Sequence, residues 1–142
     1  MTAETILHRL RLFLLALVGF LFVGTLVELV FTEHTDKPVQ FVPFVLCGVG
    51  LFTVGMALVR PQRQSLRALR VWMGIVALGS LLGTYEHIMG NAAFYREVHP
   101  DATGLPVVAA ALGGADPLVA PGILAVAAVL ALAATYYHPA LK

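Results

Sequence analysis

Apolar residues run along this chain in long blocks, not in alternation with polar ones. Four such blocks cover about residues 10–31, 39–59, 69–89 and 118–137. A helix needs roughly 20 mostly apolar residues to cross the hydrocarbon core of a bilayer. Each block therefore predicts one transmembrane helix. The second contains no Asp, Glu, His, Lys or Arg, and the fourth none before His138. Glu28 interrupts the first late, and Glu86 and His87 fall near the end of the third. Barrel strands would be short and would alternate apolar with polar positions, so continuous blocks argue against a membrane β-barrel. The expected fold is all-α: a four-transmembrane-helix antiparallel bundle forming a single membrane domain over 1–142.

The polar intervals set the connections. The first, 33–38, is short and makes helices 1 and 2 antiparallel neighbours, with Pro38 at the start of helix 2. The middle connection is about ten residues by this count of the spans and has some helical character. The third, about 90–117, is long and partly apolar. Its stretch 105–112 is too short to cross, so it is read as an interfacial or re-entrant piece, a lid, or simple helix packing. Pro117 and Pro121 fall in the first turn of helix 4, where a missing amide hydrogen does little harm. Pro43 either bends helix 2 or sits near its start. Glycines in helices 1 to 3, among them Gly19, Gly48, Gly55, Gly79 and Gly83, permit close helix contact.

Composition agrees with the blocks. Hydrophobic residues make up 59% of the chain and charged residues 12%, against roughly a quarter charged in soluble domains. The first block is longer than the apolar core of a signal peptide and no small-x-small site follows it, so it is read as a retained anchor. The single cysteine, Cys47, has no disulfide partner in the chain and is read as a buried apolar residue.

The charges are separated although they nearly cancel. Following the helices in order, one side collects Arg9, Arg11, Arg60, Arg63, Arg67, Arg70 and Lys142, with Glu4 its only acid. The other collects Glu28, Glu33, Asp36, Glu86, Glu97, Asp101 and Asp116, with Lys37 and Arg96. Basic connections stay in the cytoplasm. Both termini are therefore expected in the cytoplasm of a multi-pass inner-membrane protein. The six arginines are read as topology signals or contacts to anionic lipid, and nucleic acid is not an expected partner.

Helices 1 and 3 run in the same direction, so Glu28 and the Glu86–His87 pair lie at similar depth. Thr25, Glu28 and Thr32 are three and four residues apart. Ser80, Thr84, His87 and Asn91 are four, three and four apart. Such spacing makes a stripe on one helical face, and a polar stripe avoids lipid. If the stripes face each other, Glu28 meets His87 near the periplasmic face. Glu28, Glu86, His87, Asn91, Thr25 and Thr84 are then the ligand or proton-relay candidates. A divalent metal would use Glu28, His87 and Glu86, with His34 and His99 from the loops.

The leading expectation is a small inner-membrane subunit or scaffold built around this polar Glu/His cluster. The alternative is a binding protein for a metal ion or a small ligand such as a quinone, or a proton- or ion-coupled transport component. A scaffold predicts a dry interface without a cavity. A binding protein predicts a pocket beneath the 91–116 loop. Haem is disfavoured, since only His87 lies clearly within a span. No catalytic motif is present, so no catalytic residue is assigned and an enzyme acting alone is disfavoured. Expected partners are membrane lipids and a homo-oligomer or larger membrane complex. The chain resembles only the broad class of small four-helix bacterial-type membrane proteins, and that resemblance implies no specific activity.

Overall fold

A computed structural model describes residues 2–35 and 37–141. Asp36 and Lys142, both counted above in the charge separation, lie outside the described residues. The chain forms α1 (Ala3–Phe31), α2 (Val42–Val59), α3 (Arg63–Val98), α4 (Leu105–Gly113) and α5 (Val119–Ala134). Short 3₁₀ turns occupy Pro38–Phe41 and Pro139–Leu141. It is an all-helical, membrane-like bundle. Three helical stretches, Ala3–Phe31, Pro38–Val59 and Arg63–Val98, are long and apolar enough to cross a bilayer, whereas Val119–Ala134 is shorter.

Each helix starts and stops for a local reason. The Thr2 side chain accepts the Thr5 amide at 3.3 Å, which caps α1 earlier than hydropathy alone places it. Thr32 closes that helix by donating its hydroxyl to the Glu28 carbonyl at 2.9 Å. Pro43 sits in the first turn of α2, where it removes no helical hydrogen bond, so it sits near the start of helix 2. The middle connection shrinks to residues 60–62, because the basic segment from Arg63 onward is already α3. Pro117 precedes α5, while Pro121 lies within its first turn.

The largest departure from expectation is α3. Its 36 residues give a rod about 54 Å long at 1.5 Å per residue, well beyond a hydrocarbon core of roughly 30 Å. What reads as a long loop is mostly helix. α3 continues to Val98, the chain turns at Gly104, and α4 packs back against α3. Gly104 has φ +68°, a left-handed conformation that glycine adopts without a Cβ penalty.

α1, α2, α3 and α5 pack around one core, with α1 against α2 and α5, and α3 against α2 and α5. The buried stripe of α1 is Arg11, Leu15, Val18, Phe22, Thr25 and Leu29. That of α3 begins Leu66, Leu69, Met73, Val76 and Ser80. Steps of three and four residues keep such stripes on one face. α5 contributes Ala127, Ala128, Ala131 and Ala134, small side chains that let it approach both α1 and α3 closely. Large apolar side chains on the far faces, such as Phe13, Phe20, Phe52, Leu78 and Val129, are exposed. In a membrane protein those faces contact lipid.

Candidate functional site

The packing order changes the meaning of the Glu28–His87 depth match. Each of α1 and α3 is wedged between α2 and α5. The two parallel helices therefore stand across the bundle from each other, not side by side. Their polar stripes do not form a direct interface. The α3 stripe instead turns toward α5 and the segment that leads into it. The buried Ser80 donates its hydroxyl to the Pro121 carbonyl at 2.7 Å. The buried Asn91 holds the residue 111–116 segment from both ends of its amide. Its Nδ2 donates to the Ala111 and Asp116 carbonyls at 3.3 and 3.0 Å, and its Oδ1 accepts the Asp116 amide at 2.9 Å. Asn91 is thus a structural clamp.

Between the diagonal helices, at the end that carries Glu28, lies a cleft of about 560 Å³. Glu28, His34, Glu86 and His87 all border it, above a floor that includes Leu46, Gly79 and Leu124. The dry interface without a cavity that a scaffold predicts is therefore not found, and the cleft also borders Ala115 and Asp116 of the 91–116 connection. The expectation of a polar Glu/His cluster is wrong. Among the described residues, no three of His, Cys, Asp and Glu come close enough together to hold a metal ion. Glu86 is exposed and Glu28 half-buried. The half-buried His87 ring stacks on His34, with centroids 6.3 Å apart, and among the described residues its buried Nδ1 has no hydrogen-bond partner. His99 stacks on Tyr95 at 4.5 Å, on the extension of α3. Thr25 is buried in the α1 stripe, its hydroxyl unpartnered, and Thr84 is half-buried.

These placements overturn the divalent-metal expectation for Glu28, His87, Glu86, His34 and His99. The quinone and the proton- or ion-coupled readings relied on the same convergence for their polar groups, and they fall with it. The reason is geometric. Equal depth brings side chains to one end of a bundle, but only adjacency brings them within ligand distance.

The opposite end holds a contact that hydropathy and charge counting miss. Arg11 is buried, and one of its terminal nitrogens donates to the Tyr136 and Tyr137 carbonyls at 3.1 and 2.9 Å. These carbonyls follow the last turn of α5, where helices leave acceptors unfilled and favour a cation. Tyr137 has φ +47°, uncommon for a residue with a side chain, and the guanidinium holds that turn. A signal was present in the sequence, because Arg11 continues the spacing of Leu15, Val18 and Phe22 on the buried stripe.

His138 lies beside this contact. Partial burial, then the positive charges of Arg11 and His8, hold its pKa below the ordinary imidazole value. A depressed histidine pKa means that protonation disfavours the folded state. The associated stability is present above the unfolded imidazole pKa and is lost as pH falls toward the folded value. The thermal midpoint in detergent is expected to drop modestly from about pH 7 to about pH 5, with His138→Gln flattening that slope.

Both serines within reach of helical segments are committed to backbone, Ser80 as above and Ser65 to the Arg60 and Gln62 carbonyls. Comparison with protein-family models, curated proteins and solved structures gives no match, so a functional reading starts from this chain's own residues.

Proposed function

We propose that this chain is a four-span protein of a bacterial-type inner membrane, with both termini in the cytoplasm, that acts by binding other proteins rather than by catalysis of its own. The α3–α4 hairpin carries this reading. It places Phe94, Val98, Leu105, Val108 and Leu112 on exposed positions, Leu105 79% accessible. A flexible loop bearing such side chains would tend to bury them locally. Here the Asn91 clamp fixes the segment that follows α4, and Ala92, Val107 and Ala111 form a small core of their own beneath it. A rigid element that presents apolar side chains is suited to docking.

Two observations support the fourth span. α5 has 16 residues, about 24 Å, and its flanking turns extend it. With the turn that follows it, it also reaches from Arg11 at one end of the bundle to Ser80 toward the other. The basic bias of the Arg11 end supports cytoplasmic termini, which puts the hairpin on the periplasmic side. The partner is a second copy of the chain or a protein of a larger membrane complex.

The test is photo-crosslinking in intact cells from a photoreactive residue at Val98 or Val108. Discrete protein adducts are expected from both positions, with lipid adducts only from Phe52 in the middle of α2. Asn91→Ala, which removes three hydrogen bonds, should abolish the hairpin adducts while the protein stays in the membrane. Lipid adducts alone from Val98 and Val108 would place the hairpin among the headgroups and defeat the reading.

A further inference from the structure

A second depression, away from the cleft and the hairpin, runs along the lipid-facing side of α2 and α3. It is an open groove of about 610 Å³ lined by Thr53, Arg63, Gln64, Arg67, Ala68, Val71 and Trp72. Its construction follows from two adjacent rows of α3. Arg63, Arg67 and Val71 succeed each other at four-residue steps, as do Gln64, Ala68 and Trp72, so each row stands on one face. Ala68 is the small member that leaves the trough open. The Trp72 indole is held at its floor, since Nε1 donates to the Leu46 carbonyl of α2 at 3.1 Å. Arg63 and Arg67 stand at one end of the trough, roughly 12 and 6 Å along the helix from the Val71 level. Among the described residues, neither has an ion-pair or side-chain hydrogen-bond partner. Two unpaired guanidiniums at the end of an apolar trough complement an anion that carries a hydrocarbon chain.

We propose that this groove is a binding site for one anionic phospholipid. Its phosphate sits between Arg63 and Arg67, with Gln64 beside it. One acyl chain lies along Ala68 and Val71 against the Trp72 ring. Arginine suits this role because its planar fork pairs with two phosphate oxygens at once. Headgroup attraction alone would be shared by every basic residue at this end. The trough makes the site specific, because it accepts a chain only where Arg63 and Arg67 accept the phosphate.

The experiment is native mass spectrometry of the full chain in detergent, titrated with phosphatidylglycerol or phosphatidylcholine. Detergent removes any effect of the arginines on membrane orientation. Wild-type protein should retain one phosphatidylglycerol in preference to phosphatidylcholine. The R63Q/R67Q double variant should bind it roughly 20-fold more weakly, about a factor of five for each arginine near the surface, and lose the preference. Ala68→Phe keeps the charges and fills the trough, and it should weaken binding comparably. R60Q/R70Q removes two arginines that do not line the groove, and in detergent it should change affinity by less than about twofold, the scale of screened surface charge. All these positions are exposed or at the surface, and unchanged thermal unfolding will show that the variants are folded. Equal losses from R60Q/R70Q and R63Q/R67Q would mean diffuse charge and overturn the site. Unchanged binding in Ala68→Phe would mean headgroup contact without the groove. Displacement by inorganic phosphate as effective as by lipid would mean that the chain contributes nothing. Either result would equally overturn it.

Discussion

Replacing Arg11 by Met is expected to destabilise the folded protein by about 2–3 kcal/mol, the usual worth of hydrogen bonds made by a charged group. The guanidinium fills the carbonyls of Tyr136 and Tyr137 at 3.1 and 2.9 Å from a buried position. Methionine leaves both carbonyls without that donor and removes the cation from the C-terminal end of α5. The buried Nε of Arg11 has no partner of its own among the described residues, which holds the loss below the roughly 3–6 kcal/mol of two charged hydrogen bonds. Arg11→Lys should recover roughly half of the loss, since an ammonium keeps the charge but lacks the planar fork. Reversible denaturation in mixed micelles would measure all three proteins. Arg70→Met is the control for charge alone, because Arg70 is exposed at the same basic end of the bundle. If Arg11→Met and Arg70→Met are equally stable, the clamp contributes nothing beyond surface charge.

Gly50→Val should be at least as damaging. A Cβ at residue 50 would lie 2.7 and 2.8 Å from Cε2 and Cζ of Phe22. Phe22 is fully buried, and its ring cannot turn away as the tip of a flexible chain can. Overpacking of a filled core costs about 1–3 kcal/mol, so Gly50→Ala should fall in that range and Gly50→Val at or above its upper end. A Cβ at Gly79 meets the end of the Leu46 side chain, which can rotate, and the penalty there should be smaller. Gly48 and Gly55 have open space around their Cβ positions, so substitution by Ala should be within about 0.5 kcal/mol of neutral. Phe22→Leu should relieve much of the Gly50→Val loss, giving a strongly non-additive double mutant. Additive losses in that cycle would show that Phe22 is not the atom group in the way.

The glycine series shows one boundary of sequence reading. Every helical glycine permits close approach, and residue identity does not say which approach is used. Only the packing of α1 on α2 brings the Phe22 ring onto Gly50. Helix lengths show another. Hydropathy located the start and end of a span where apolar residues stop, yet α3 continues through Asn91, Arg96 and Glu97. Those residues are compatible with a helix in water or at headgroups, so a change of solvent need not end a helix. The local stop comes instead near Pro100, and Gly104 then turns the chain toward α4.

The sequence by itself determined the all-helical, membrane-embedded class, because continuous apolar blocks have one economical way to satisfy their backbone in lipid. It also placed Glu28, Glu86 and His87 at one end of the bundle, since helical rise converts residue number into height. The apolar segment at 105–112 was visible as a short separate element for the same reason. Tertiary structure alone decided who stands next to whom. It set α1 and α3 on opposite sides of the bundle, so that Glu28 and His87 border one cleft without forming a metal-holding group. It turned Asn91 from a relay candidate into a clamp, and drew Arg11 inward onto the end of α5. Periodicity gives the face of one helix. The neighbour that covers that face depends on how the others pack, which no single helix encodes.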